Sequence, residues 1–239
     1  MRVAALYDIH GNLPALEAVL REVHNENPDA IVVGGDVLWG PLQAECLALL
    51  RERDARFLSG NCEDDVIAAV NDSSRWCREQ LSEEELAFVA GWPFSVELEL
   101  DGLGQAVFCH ASPRSKVENL TRLTPAGDLG AAFVDVDADL VVHGHTHVQS
   151  DRRLPDLPRL VNAGSVGLPY EGRPGAYWTL IDADIHQRQT FYDVDAALDL
   201  LAGTGFPDAL GIFGESLRGE VSAESATAHF ESKRDTLAQ

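Results

Sequence analysis

Short apolar runs punctuate the first half of the chain, and each is followed by text with apolar residues at helical spacing. Residues 3–7 form the first run, read as a buried strand. Over residues 14–23, Leu16, Val19, Leu20 and Val23 fall on one helical face, with Asn12 placed to cap the helix. Residues 30–33 and 56–58 read as the next strands, and residues 41–51 as the next helix, with Pro41 suited to its first turn. Strand–helix alternation of this kind predicts parallel strands joined by right-handed crossovers, with ligands gathered beyond the strands' carboxyl ends.

From residue 63 the text turns polar and helical, and Ser82-Glu83-Glu84-Glu85 resembles a capping box. A helical excursion over residues 63–93, packed on or beside the site, is expected. After Pro93, alternation over 96–100, then Asp101-Gly102 and 106–108, predicts a hairpin-like strand pair. Further strands are expected at 140–142, 159–161 and 176–181. The elements together predict an α/β protein with two sheets flanked by helices. Its organisation is read as one domain over residues 1–194 and a helical tail over 195–239 packed on it, broken by Gly203, Gly205 and Pro207.

Composition narrows the partners. The chain has 239 residues, 45% of them hydrophobic, enough for a sizeable core. Against 39 acidic residues stand 18 basic ones, a formal charge of -21. Such a surface repels a phosphate backbone, so long DNA or RNA is an unsuitable partner and a small phosphorylated substrate fits better. The four cysteines, Cys46, Cys62, Cys77 and Cys109, form no C-x-x-C pair, which argues against a zinc ribbon or a disulfide framework. No leader-like start and no apolar stretch near 18 residues is present, so a cytoplasmic protein with no membrane partner is expected.

Candidate chemistry sits where the strands end. Asp8-Ile9-His10, Gly35-Asp36, Gly60-Asn61, His110 and Gly144-His145-Thr146-His147 occur in that order, each after an apolar run. Asp-x-His and Gly-Asp are common in isolation; their ordered succession carries the reading. Asp8, His10, Asp36, Asn61, His110, His145 and His147 offer carboxylate, imidazole and amide oxygen, a set suited to divalent transition metals. Asp36 could bridge two ions through its two oxygens, and alternate histidines could reach different ions. Two metals about 3.5–4 Å apart would share a bridging hydroxide and stabilise a phosphate under in-line attack. A metal-dependent phosphoesterase is the expectation.

These pieces, with Gly11-Asn12, Gly34, Ala111-Ser112-Pro113-Arg114 and Asn162-Ala163-Gly164-Ser165-Val166-Gly167, closely resemble the calcineurin-like metallophosphoesterases, in particular small bacterial and archaeal phosphodiesterases. The resemblance spans residues 3 to about 182. It implies a four-layer αββα sandwich and a dinuclear centre. By the family pattern, Asp8, His10, Asp36 and His147 would hold one metal, and Asp36, Asn61, His110 and His145 the other. Manganese is favoured by resemblance, while the ligand chemistry also suits iron or zinc. Within the family, phosphomonoesters, dinucleoside polyphosphates and phosphoproteins are alternative substrates, and a non-catalytic scaffold is the alternative of another class. Intact ligating side chains at all seven positions speak against the scaffold.

One departure matters. Many members read Gly-Asn-His-Asp or Gly-Asn-His-Glu, and that histidine is assigned protonation of the leaving oxygen. Here the position is Cys62, in Gly60-Asn61-Cys62-Glu63. A thiol with an ordinary pKa of about 8.5 matches neutral-pH proton donation less well than imidazole, so esters with good leaving groups are expected to be favoured. Arg114 is a candidate phosphate fork and equally a partner for surface carboxylates. Asn12 is a candidate phosphate donor, although the helix cap alone explains it. Trp39 and Tyr170 flank motif loops as candidate walls for a base or aryl group. His143 is read as a core or supporting residue, Cys109 as buried and inert, and Gly164-Ser165-Val166-Gly167 as a turn supporting the histidine loop.

Overall fold

Strand β1 (Val3–Leu6) is buried at every position because both of its faces are covered. Ala4 and Leu6 face a helical layer, while Val3, Ala5 and the following Tyr7 face a second sheet. This is why its text is continuously apolar rather than alternating. A computed structural model describes residues 1–237, with side chains through Arg234.

β1 lies at the centre of a five-stranded sheet ordered β10-β9-β1-β2-β3. β2 (Ala30–Val33) runs parallel to β1 and β3 (Ala55–Phe57) parallel to β2; β9 (Ala176–Ile181) and β10 (Ile185–Thr190) complete the sheet antiparallel. The second sheet is ordered β4-β5-β6-β8-β7. In it β5 (Gly104–Cys109), β6 (Leu140–His143) and β8 (Arg159–Asn162) are parallel, and β4 (Ser95–Leu100) and β7 (Ser150–Arg152) form antiparallel edges. Val3, Ala5 and Val32 of the first sheet pack on Leu100, Phe108 and Val142 of the second.

Helices α1 (Leu13–Glu26) and α2 (Gln43–Arg51) cover the outer face of the first sheet. The outer face of the second meets α6 (Ala126–Ala132), where Cys109, Val141 and Leu160 pack against Leu120, Leu129 and Phe133. The result is the four-layer αββα sandwich. The excursion comprises α3 (Asn61–Ala68), α4 (Asp72–Glu79) and α5 (Glu83–Ala90), and begins two residues earlier than the sequence suggests. Ser82 caps α5 through a reciprocal pair, Ser82 N–H to Glu85 at 2.8 Å and Glu85 N–H to Ser82 Oγ at 3.2 Å. Phe57 stacks on Trp92 with ring centroids 4.8 Å apart, fastening the excursion to β3.

The tail divides. α7 (Val194–Ala202) and α8 (Ala209–Leu217) bring Leu198, Leu201, Phe213 and Leu217 into the core above the first sheet. α9 (Ala223–Leu237) instead crosses to the loop 119–124, where Glu231 accepts hydrogen bonds from Thr121 Oγ1 (2.6 Å) and Thr124 Oγ1 (2.8 Å). β7, β10 and α6 were not expected from the sequence. β10 and β7 are polar edge strands, and α6 carries Gly127 and Gly130, which obscure its helical text. No helix among the described residues is long and apolar enough to cross a membrane.

Candidate metal centre

The parallel strands of both sheets end at one hollow. Asp8 and His10 follow β1, Asp36 follows β2, Asn61 follows β3, His110 follows β5, and His145 and His147 follow β6. Five of the seven, Asp8 (φ 52°), His10 (φ 47°), Asp36 (φ 55°), His145 (φ 65°) and His147 (φ 56°), adopt the left-handed backbone region. Such residues persist only where their surroundings over-determine them, each costing about 1–3 kcal/mol.

The surroundings do so with hydrogen bonds. Asp8 N–H donates to Gly35 O at 3.2 Å and His10 N–H to Asp36 O at 2.8 Å. The turn after β8 ties two ligand loops together: Ser165 Oγ donates to Asp8 O at 2.7 Å, and Asn162 Nδ2 donates to Gly144 O at 2.8 Å and Thr146 Oγ1 at 2.9 Å. Gly35 is required where it stands, because φ is 85° and a Cβ would lie 2.5 Å from Gly60 N.

The seven side chains converge on this hollow, in overlapping groups that could hold a metal ion. Ligand atoms of Asp8, His10 and His147 lie within 4.8 Å of one another, as do those of Asp36, His110 and His145. Asp36 stands between them: Oδ2 is 3.8 Å from His10 Nε2, and Oδ1 is 3.4 Å from His110 Nε2. The Asn61 amide lies against the second group, with the atom directed inward 3.1 Å from His110 Nε2 and 3.0 Å from His145 Nδ1.

The proton inventory fits bound cations. His10 Nδ1 faces Trp39 O at 3.1 Å, His110 Nδ1 faces Gly34 O at 2.9 Å, and His147 Nδ1 faces Leu168 O at 2.6 Å. A carbonyl oxygen only accepts, so in the neutral rings Nδ1 carries the hydrogen and each Nε2 presents a lone pair inward. His10 Nε2 and His147 Nε2 are then 3.2 Å apart with no hydrogen between them. Asp8 Oδ1, fully buried and 3.4 Å from His147 Nε2, has no hydrogen-bond partner among the described residues. Acceptors converging without donors suit a site completed by metal ions.

Electrostatics agree with that chemistry. Burial, reinforced by His147, depresses His10 to about 4, and burial, reinforced by His110, depresses His145 to about 4. Both are neutral at physiological pH and so can offer a lone pair to a cation. Burial would raise the carboxyls of Asp8 and Asp36, but the surrounding histidines outweigh it and hold both below the ordinary range. Burial also lowers His110, while Asp36 and Asp8 together shift it upward overall.

Glu63, beside Cys62 in the same motif, builds the site from outside the ligand set. Glu63 is fully buried, and its Oε1 accepts from Val37 N–H (2.7 Å) and Leu38 N–H (3.1 Å). Its Oε2 accepts from Asp36 N–H (2.8 Å) and Gly60 N–H (2.7 Å). One carboxylate thus gathers the Asp36 loop and the start of α3, which carries Asn61. The Gly60-x-x-Glu63 spacing of a capping box was the signal.

Cys62 donates its backbone N–H to Asp36 Oδ1 at 2.9 Å, and its sulfur lies within 4.8 Å of ligand atoms of His10 and Asp36. Burial, then Asp36 and Glu63, push the thiol well above its ordinary range. Arg114 is not directed at the hollow as a phosphate fork: it bonds Glu118 and donates to Ala131 O at 2.8 Å on the surface. Asn12 is likewise committed elsewhere, accepting from Ala15 N–H (3.2 Å) and donating to Gly167 O (2.9 Å) and Tyr192 Oη (3.2 Å). His143 is buried without a side-chain partner among the described residues, and Cys109 is buried against the α6 layer.

Residues 1–186 match the model of the calcineurin-like phosphoesterase superfamily domain, and the chain belongs to that family. It is a metal-dependent phosphoesterase. It is 26% identical over 237 residues to the uncharacterized protein MJ0912 of Methanocaldococcus jannaschii, across 87% of this chain and 95% of that one. Among solved structures, a metallophosphoesterase from Sphaerobacter thermophilus is similar with a TM-score of 0.75 at 24% identity, over 92% of this chain and 100% of that one. The phosphoesterase Yfce from E. coli is similar with a TM-score of 0.51 at 23% identity, over 80% of this chain and all of its own. These two are likenesses of fold.

Proposed function

We propose that the chain hydrolyses small phosphate esters, preferring phosphodiesters with good leaving groups, and that it works with two divalent ions. Asp8, His10, Asp36 and His147 would hold one, and Asp36, Asn61, His110 and His145 the other. The observation carrying this reading is Asp36, whose two oxygens face different imidazoles, His10 Nε2 at 3.8 Å and His110 Nε2 at 3.4 Å. Bound there, divalent ions make water nucleophilic near neutral pH and offset negative charge on phosphoryl oxygens. Manganese is the favoured occupant; iron and zinc share the ligand preference.

The chain's own residues supply the rest. Carbonyls of Trp39, Gly34 and Leu168 orient three imidazoles, and Glu63 fixes the Asp36 loop. At the position where the family places an acid, Cys62 keeps its proton, which supports a preference for leaving groups that need none. The acidic surface supports small substrates over long nucleic acids.

The test is metal content by mass spectrometry together with a hydrolysis screen of the metal-loaded chain. The screen spans aryl phosphomonoesters, aryl phosphodiesters, cyclic nucleotides and dinucleoside polyphosphates. Two ions per chain and fastest turnover of aryl phosphodiesters are expected. A single ion per chain overturns the dinuclear reading, and activity confined to monoesters overturns the substrate class.

A further inference from the structure

Part of the aromatic surround of the centre comes from residues beyond the family match, which ends at residue 186. On one flank Phe206 meets Trp39 edge-on at 5.3 Å, and Trp39 meets the His10 ring edge-on at 5.7 Å. On the other flank Tyr170 stacks on His147, with centroids 4.9 Å apart and planes 16° apart. Phe230, on α9, stands 6.1 Å from the ring of His145 and 6.4 Å from that of Tyr170. Tyr170 and Phe230 therefore adjoin the two histidines assigned to different ions.

Both rings are half-buried, whereas Ala226 and Thr227, one turn earlier on α9, are buried. The partly exposed rings leave aromatic surface that a bound group can meet. Phe230 is nonetheless held in place: its carbonyl accepts from Asn119 Nδ2 at 3.1 Å, and the next residue, Glu231, accepts from both threonines of the 119–124 loop. The Tyr170 hydroxyl has no hydrogen-bond partner among the described residues.

We propose that Phe230 and Tyr170 form an aromatic wall that selects phosphate esters carrying a planar ring, whether an aryl group or a nucleobase. The proposal rests on the phosphoesterase reading above, because it places the phosphate beside His145 and His147. The organic group of an ester bound there lies within reach of both rings. A planar group gains ring contact that a saturated group of similar size does not.

Calorimetric titration of the manganese-loaded full chain with non-hydrolysable phosphonates tests this without leaving-group chemistry. Phenylphosphonate is expected to bind about tenfold tighter than cyclohexylphosphonate. Phe230→Ala should abolish that preference while changing cyclohexylphosphonate affinity less than about twofold. Phe230→Leu, with an unchanged melting temperature to show that α9 stays docked, should lose it as well. An adenosine 5′-phosphonate compared with its ribose 5-phosphonate counterpart separates the sources: a preference there assigns a nucleobase, and one confined to phenylphosphonate assigns a simple aryl group. Equal binding of phenyl and cyclohexyl compounds by the wild type, or a preference that survives Phe230→Ala, overturns the wall. Failure of every phosphonate to bind a chain that hydrolyses esters overturns it too. An intact ring preference in a chain that hydrolyses nothing sinks only the catalytic reading.

Discussion

Replacing Glu63 with glutamine exchanges one carboxylate oxygen for an amino group and tests whether this carboxylate builds the centre. Its two oxygens receive four backbone N–H groups, from Asp36, Val37, Leu38 and Gly60, at 2.7 to 3.1 Å. Protonation would set a hydrogen against one of these donors, so the residue acts as a charged acceptor although burial and Asp36 raise its pKa. Glutamine keeps one oxygen and turns an amino group toward the other two N–H groups. Two buried donors lose their acceptor, at about 1–3 kcal/mol each, or about 2–6 kcal/mol together. For a chain of this size that is a fall of about 5–20 °C in the thermal midpoint. Because Asp36 faces both His10 and His110 and Asn61 begins the helix that Glu63 organises, metal affinity should drop about 10–100-fold. Calorimetry on the metal-free chain gives the first number and competition with a metal-binding dye the second. A midpoint within about 2 °C of wild type, together with metal affinity within about twofold, would refute the argument.

Two other outcomes are expected. Cys62→His should raise kcat on alkyl phosphodiesters by about 10–1000-fold while aryl esters gain little, since general acid catalysis matters most for poor leaving groups; equal rates on alkyl esters reject that role for the position. The metal-free chain should lose thermal stability on acidification from about pH 6.5 toward 4, because His10 and His145, depressed to about 4, and His143, depressed to about 3, take up protons first in the unfolded state. Asp8 and Asp36, held low by the histidines, keep their contribution until lower pH still. A midpoint flat from pH 7 to about 4.5 contradicts that assignment.

The parts of the fold legible in the sequence were those whose burial is simple. β1, β2 and β6 are covered on both faces, so their text is apolar throughout in β1 and β2 and up to His143 in β6. Edge strands β7 and β10 tolerate polar text, and nothing in Ile185-His186-Gln187-Arg188-Gln189-Thr190 separates it from a loop. The place of α9 was hidden for another reason. It docks through contacts such as Glu231 with Thr121 and Thr124, residues more than a hundred positions earlier, and no local pattern encodes such a pair. The ligand types could be read one by one, whereas the commitments of Asn12 and Arg114 depend on what stands beside them in space.

The spacing within the centre rests on how the sheets pack, because Asp8, His10, Asp36 and Asn61 come from the first sheet and His110, His145 and His147 from the second. Tyr7 bears on that spacing directly. It precedes Asp8, is fully buried between the sheets, and donates its hydroxyl to Val142 O at 3.0 Å, three residues before His145. Gly34 makes the room, since a Cβ there would meet the Tyr7 ring at 2.0 Å. In sequence Tyr7 is one more apolar residue of a strand, and Gly34 one more glycine before a turn. In space they form a strut between the two halves of the centre. Its length helps set whether Asp36 can face His10 and His110 at once, which is the geometry on which a two-metal mechanism depends.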